Sequence, residues 1–231
     1  MKISVALAAY KGEDYIAEQL DSILGQLSDN DEIIVSDDYP QGNTRNIVME
    51  YINRDKRIRY IEGEGKGVVK NFENALRCCT GDVVFLCDQD DVWSPDKVKT
   101  VVAEIKNGAD LVLHDAAVTN GELSITEPSF FSVHKTNTDY RSNLIRNTFV
   151  GCCMAFTKQV MLDTIPFPDG LPMHDWWIAL VAIKKGYNVV LVKKPLIKWC
   201  RHGGNVTGGK TGLLQKIMWR AKMIRSLAKI K

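Results

Sequence analysis

Short apolar runs alternate with helical periodicity through the first 115 residues of this chain, and that alternation limits its fold more than any other feature. Residues 3–9 form a continuous apolar run, as a parallel strand buried on both faces requires. From Asp14 the spacing becomes helical, with Ile16, Leu20, Ile23, Leu24 and Leu27 on one face. The pattern predicts further strands over 32–36, 58–61, 82–87 and 109–114. Between them it predicts helices over 43–53 and 67–79, and a third opened by Pro95, whose missing N–H costs nothing in a first turn. Such alternation builds βαβ units, so the expected class is α/β: a mostly parallel, Rossmann-like central sheet flanked by helices.

The second half is less regular. Residues 130–133, 150–156 and 187–192 read as strands, 174–185 as a helix, and the paired glycines at 203–204 and 208–209 as a loop. One domain is expected over residues 1–210, followed by a tail at 211–231. The last 22 residues hold seven Lys/Arg and no acid, leaving the body with 23 basic against 28 acidic residues. In a helix from Leu213, residues Leu213, Leu214, Ile217, Ala221, Ile224 and Ala228 share a face, with Lys216, Arg220, Lys222, Arg225 and Lys229 on the flanks and beyond. A basic amphipathic helix of this kind suits an anionic lipid surface, although it could equally dock on the body or on a partner.

No apolar run reaches the roughly 18–20 residues that a membrane span needs. Lys11, Glu13 and Asp14 follow the first apolar run where a signal peptide would place its cleavage region. The six cysteines lie within or beside apolar runs without CxxC spacing, which fits buried thiols in a reducing compartment. A cytoplasmic protein is expected.

In an open α/β sheet, ligands bind beyond the carboxyl ends of the strands near the point where strand order reverses. Polar residues directly after apolar strands are therefore candidates. Tyr10, Asp37-Asp38, Asp88-Gln89-Asp90-Asp91 and Asp115 all hold such positions. Alternate carboxylates on a tight turn suit a hard cation, Mg2+ or Mn2+, whose shell is completed by phosphate oxygens, although the same turn also reads as a solvated helix cap. One of the Asp37-Asp38 pair could accept from a pyrimidine imino N–H or a ribose hydroxyl, and one could simply form an Asx turn. Asp175, in His174-Asp175-Trp176-Trp177, sits beside aromatic walls that would raise its basicity as a general base. It could also be a helix cap. Gly63-Glu64-Gly65-Lys66-Gly67 matches neither a dinucleotide fingerprint nor a P-loop and reads as a pliable loop.

Taken in order, Ala8-Ala9-Tyr10-Lys11-Gly12, Ser36-Asp37-Asp38, Lys70-Asn71-Phe72-Glu73, the run from Phe85 through Asp88-Gln89-Asp90-Asp91-Val92-Trp93 to Pro95-Asp96-Lys97, Gly151-Cys152-Cys153, His174-Asp175-Trp176-Trp177 and Arg201-His202-Gly203-Gly204 resemble family 2 glycosyltransferases. The similarity spans residues 3–208 and is strongest to a rhamnosyltransferase-like bacterial subgroup. It implies the GT-A fold and inverting transfer of a sugar from a UDP- or dTDP-linked donor to a hydroxyl acceptor in bacterial cell-surface polysaccharide synthesis. It further implies nucleotide-sugar contacts at Ala8, Tyr10, Asp38, Lys70, Asn71, Asp88 and Asp90, with Asp38 recognising the base and Tyr10 packing on it. Asp90 and His202 would hold a divalent metal, Mn2+ or Mg2+, and Asp175 would be the catalytic base. The partners implied are a saccharide or lipid-linked saccharide acceptor, no nucleic acid, and a peripheral contact with the inner membrane face through residues 212–231. One departure is Tyr39-Pro40-Gln41-Gly42-Asn43-Thr44, where the family usually shows a Gly-Ser-Thr-Asp-like turn after the two acids. A sugar-nucleotide nucleotidyltransferase would need a glycine-rich, basic triphosphate loop after the first strand, which Ala9-Tyr10-Lys11-Gly12 matches poorly. A non-catalytic nucleotide-sugar-binding protein would be missing some of these acids.

Overall fold

A computed structural model describes residues 1–201 and 212–230. The first half follows the alternation closely. β1 (Ile3–Ala9), α1 (Ile16–Leu24), β2 (Glu32–Asp37), α2 (Thr44–Arg54), β3 (Ile58–Glu62), α3 (Val68–Cys78) and β4 (Val83–Asp88) appear in that order. Every residue of β1 and β2 is buried, as continuous apolar runs covered on both faces must be. A two-residue strand β5 (Val92–Trp93) then precedes α4 (Lys97–Lys106), which starts two residues beyond Pro95 rather than at it.

β6 (Leu111–Asn120) runs well past the expected end at residue 114 and pairs with the short β7 (Ile125–Glu127). The segment expected as a strand at 130–133 is instead the helix α5 (Phe130–His134), capped by Ser129, whose hydroxyl accepts from the Ser132 N–H. Four apolar-aromatic residues fit either state, and this cap decides for helix. After α6 (Tyr140–Ile145), a 3-10 turn at Gly151–Cys153 occupies the start of the expected strand at 150–156, leaving only β8 (Met154–Thr157) extended. α7 (Lys158–Thr164), α8 (His174–Lys184), β9 (Val189–Arg201) and α9 (Leu213–Leu227) complete the described elements.

The sheet order is β3-β2-β1-β4-β8-β6-β9-β5. Its first four strands are parallel throughout; β8 enters antiparallel to both β4 and β6, and β9 returns parallel to β6. Strand order therefore reverses around β1, whose neighbours are β2 on one side and β4 on the other. The register sets Ala8 beside both Ser36 and Asp88, so the carboxyl ends of three strands open at one level. Asn71 braces this opening. Its amide donates to the carbonyls of Ala9 (3.0 Å) and Ser36 (2.9 Å) while its oxygen accepts from the Ser36 hydroxyl at 2.6 Å.

α9 docks on α6 and α8 through Met223 and Leu227, both buried, with Trp219 and Ile230 packed beside them. Lys184 caps its last turn, donating to the carbonyls of Leu227 (2.7 Å) and Ile230 (2.9 Å), the favourable placement for a cation at a helix C-terminus. Arg220 donates to the Ile145 carbonyl at 2.8 Å. The residues opposite the expected amphipathic face are thus the ones that grip the body, and Leu213, Leu214, Ile217 and Ile224 stay exposed.

Candidate active site

Beyond the strand ends lies a cleft of about 410 Å3 lined by seven of the expected residues: Ala8, Tyr10, Asp38, Asn71, Asp88, Asp90 and Asp175. Lys70 is not part of this lining; its ammonium is held by Glu73 at 2.8 Å and Asp169 at 3.3 Å. His202 lies outside the described residues. Asp115 is not at a strand end, because β6 continues through it. Its carboxylate instead accepts from Ser129 Oγ (2.5 Å) and the Phe131 N–H (2.9 Å), anchoring α5.

At one end of the cleft the two consecutive acids divide the work. Asp37 is fully buried, forms the turn by accepting from the Tyr39 N–H at 3.0 Å, and takes the Tyr60 hydroxyl at 3.0 Å; burial pushes its carboxyl up. Asp38 faces the cleft and accepts from the N–H groups of Gly65 (2.8 Å) and Gly67 (2.7 Å). Both glycines have positive φ, so the glycine loop curls around the carboxylate in a conformation that a side chain would strain. A carboxylate offers about four acceptor positions, which leaves Asp38 able to take a further N–H. Tyr10 is 53% exposed and meets Tyr39 edge-to-face at 5.7 Å. Gln89 clamps the backbone of Tyr10 in both directions at 2.9 Å. Gly12 is required beside that clamp, since a Cβ there would lie 2.0 Å from Gln89 Oε1.

The floor of the cleft is acidic. Burial, then the charges of Asp90 and Asp175, push the Asp88 carboxyl up to about 7. Asp91 is pushed up in the same way; its Oδ1 accepts from the Cys200 N–H at 3.2 Å and its buried Oδ2 has no partner. The Cys152 sulfur lies beside Asp88 and Asp91, one ligand-type atom from each of the three lying within 4.8 Å of the others. The Cys152 thiol is itself pushed well up by Cys153 and by burial, so it stays protonated rather than acting as a thiolate ligand. The oxygen-rich donor set at Asp88 and Asp90 on the cleft wall fits a hard divalent cation, whose charge would relieve this crowding.

Asp175 lines the same cleft, close enough for its charge to help raise Asp88. It lies in the first turn of α8 but is not the cap; that position belongs to Met173, which makes no side-chain capping bond. Burial pushes Asp175 up to about 7, against the lowering effect of N–H groups from Trp176 and Gly151 and of the Asn147 amide. The Trp176 N–H lies at 2.5 Å and Asn147 Nδ2 at 3.3 Å. The two tryptophans are structural walls, their indole N–H groups donating to the carbonyls of Asn143 (2.7 Å) and Thr164 (2.8 Å).

The turn at Gly151–Cys153 lies between Asp175 and the acidic floor, its first residue lowering Asp175 through the backbone N–H and its second placing a sulfur beside Asp88 and Asp91. Lys97 secures that turn from behind. It is fully buried, donates to the Cys152 carbonyl at 2.8 Å, and sits 3.8 Å from the centre of the Trp93 ring. Gly151-Cys152-Cys153 is among the runs that carry the family resemblance but has no assigned role there, and Asn147 has no pattern that sequence reasoning marks as functional; only the tertiary fold brings them to the acids. Gly151→Ala should be strongly disruptive, because its Cβ would fall 2.6 Å from His174 Nε2. Overpacking of this kind costs about 1–3 kcal/mol, and a thermal melt unchanged from the parent would show that the turn can yield.

Comparison with known proteins bears on this geometry. The family model described as glycosyl transferase family 2 matches residues 4–165. Among curated relatives, the dTDP-rhamnosyl transferase RfbG of Shigella flexneri is 25% identical over 91% of this chain and 76% of its own length. The UDP-Glc:alpha-D-GlcNAc-diphosphoundecaprenol beta-1,3-glucosyltransferase WfgD of Escherichia coli is 26% identical over 79% of this chain and 70% of its own length. Among solved structures, S. aureus TarS 1-349 in complex with UDP-GlcNAc superposes with a TM-score of 0.74 at 21% identity, covering 97% of this chain and 66% of that one. The mannosyltransferase PcManGT of Pyrobaculum calidifontis, solved with GDP-Man and Mn2+, gives 0.64 at 18% identity over 98% and 74%. These two likenesses establish the fold, the mixed α/β arrangement with a curled central sheet. With the family match running from β1 into α7, the chain belongs to glycosyl transferase family 2.

Proposed function

We propose that this protein is an inverting glycosyltransferase that moves a sugar from a nucleoside diphospho-sugar, UDP- or dTDP-linked, to an acceptor hydroxyl in bacterial surface-polysaccharide synthesis. The observation that carries this reading is the convergence of Asp38, the Asp88/Asp90 pair and Asp175, from three separate stretches of chain, on one cleft at the reversal of strand order. Asp38 and Tyr10 take the base at one end, and the diphosphate lies toward Asp88 and Asp90. Asp90 and Asp88 would hold a divalent cation, which when bound would supply Lewis-acid neutralisation of the leaving diphosphate. In the same cleft Asp175 takes the proton of the acceptor hydroxyl. The acceptor oxygen then bonds to the anomeric carbon as the bond to the diphosphate breaks, and the electron pair leaves with the nucleoside diphosphate. One displacement from the far face inverts the anomeric centre. The relatives whose printed names include a dTDP-rhamnosyl donor activity and a UDP-Glc donor activity support this donor class.

A base raised to about 7 must be deprotonated to act. At fixed saturating cation, kcat/KM should therefore rise about tenfold per pH unit below 7 and level off above it. A flat profile from pH 5.5 to 8 would remove Asp175 from the proton transfer.

The acceptor is read as a saccharide, lipid-linked as in the name of WfgD, met at the inner membrane face. No helix among the described residues is long and apolar enough to cross a membrane. The support for surface contact is α9, whose N-terminal half presents Leu213, Leu214 and Ile217 at 76%, 73% and 54% exposure beside Lys216. In flotation with anionic vesicles the full chain should rise with the lipid, while a Leu213→Ser, Leu214→Ser, Ile217→Ser variant should stay in the soluble fraction. Equal recovery of both would end the membrane reading without touching the donor chemistry.

A further inference from the structure

The first residue of α8, His174, is 3% exposed and lines the cleft, yet both of its ring nitrogens lack any hydrogen-bond partner. Its ring is stacked on Phe72 with centroids 3.9 Å apart and planes 26° from parallel. Gly151 leaves the space that Nε2 occupies. The side chain is thus held in place by apolar packing on one side and bare backbone on the other, with no polar reason to be there. An unpaired donor and acceptor in a buried setting are costly, and in native proteins such groups usually answer to a ligand, an ion or a water. No carboxylate or thiol joins His174 in a ligand-type cluster among the described residues, so the geometry does not build a cation site around it, and burial keeps the ring neutral. A neutral imidazole is simultaneously one donor and one acceptor, which is the complement of a hydroxyl group.

We infer that His174 is a specificity-determining residue that hydrogen-bonds a ring hydroxyl of the donor sugar, the unpaired nitrogens of the free protein being the half of that contact already built. Position narrows the ligand group. His174 directly precedes Asp175, so their Cα atoms are about 3.8 Å apart, and whatever meets the imidazole lies close to the anomeric centre. The base-binding end at Asp38 and Tyr10 is formed by other elements. The contact is therefore to sugar, not to base. This inference rests on the donor reading above and adds to it the residue that reads the sugar.

The test compares binding of the intact sugar nucleotide with binding of the nucleoside diphosphate alone, by calorimetry with Mn2+, for the wild type and His174→Phe. Phenylalanine keeps the stack on Phe72 and removes both nitrogens. The variant should hold UDP or dTDP within about twofold of wild type but lose about tenfold in affinity for the preferred sugar nucleotide. A panel of donors deoxygenated at single ring positions should reveal one position whose loss costs the wild type a similar factor and costs the variant nothing further. Equal affinity of wild type and variant for the intact donor would overturn the inference, as would parallel loss of diphosphate and donor. If His174→Phe does not fold, the deoxy panel on the wild type still decides: indifference to every ring hydroxyl refutes the contact, and a single sensitive position that His174→Gln alters supports it. A wild type that binds no sugar nucleotide at all contradicts the donor reading itself, a result distinct from either of these.

Discussion

Asp175→Asn should abolish sugar transfer, lowering kcat by about a thousandfold, while leaving donor binding within a few-fold of wild type. The reasoning is geometric before it is electrostatic. The carboxylate is buried, accepts from the Trp176 N–H and the Asn147 amide, and lines the same cleft as Asp88 and Asp90. Asparagine keeps the shape and size but has no basic oxygen to receive the acceptor proton. Because the substituted group touches the acceptor rather than the diphosphate, the loss should fall on kcat. Substitution also relieves a buried carboxyl that burial has pushed up to about 7, so the variant should melt no lower than wild type at pH 8. The sign follows from the shift: a raised folded-state value means that the ionised form is disfavoured in the fold, and the penalty grows as pH rises above the ordinary carboxylate range. Turnover retained in Asp175→Asn would assign the base elsewhere.

Asp90→Ala should remove the cation-dependent part of nucleotide binding. With Mn2+ present, calorimetry against UDP or dTDP should show affinity falling by about a hundredfold, to the level that wild type shows with a chelator. Asp88 alone is a poor substitute, since burial and its neighbours already disfavour its charged form. Asp91 is a poor one as well, for the residue is 2% exposed, one carboxylate oxygen accepts from the Cys200 N–H, and burial pushes its carboxyl up. If the variant bound nucleotide and Mn2+ as wild type does, the cation would have to sit on other residues.

The first half of the fold was legible because its signal is redundant. Apolar runs such as residues 83–87, bounded by Asp82 and Asp88, have one good solution in a sheet covered on both faces, and the helices between them repeat at 3.6 residues. The same logic found Asp38, Asp88 and Asp90, because the end of a buried strand at the order reversal opens on the crevice, although Asp37 beside them turns inward to Tyr60. It failed where burial was not the deciding force. Phe130-Phe131-Ser132-Val133 fits strand composition, but a local cap and the anchoring of its start by Asp115 make it a helix. Asp115 itself looked like a strand end only because β6 becomes polar there while remaining extended. The expected helix start at Pro95 was early by two residues, within the usual uncertainty of boundaries.

The site was legible as a list of acids but not as an arrangement. Which of Asp37 and Asp38 builds the turn could not be told until Tyr60 was seen to claim the first. The contact between Lys97 and Cys152 joins residues 55 apart in sequence by a carbonyl, an atom without side-chain identity. In the tail the periodicity gave the right helix and the right exposed face. The docking side was hidden because Met223 and Leu227 grip α6 and α8, elements whose partners the sequence does not announce.

Slow hydrolysis of a panel of nucleoside diphospho-sugars by the wild-type chain, with Mn2+ or Mg2+ and with a chelator, tests the central claim most directly because it needs no acceptor. We predict release of nucleoside diphosphate from at least one UDP- or dTDP-linked donor, suppressed by the chelator. A wild type that neither binds nor cleaves any donor in the panel, with either cation, would contradict the account.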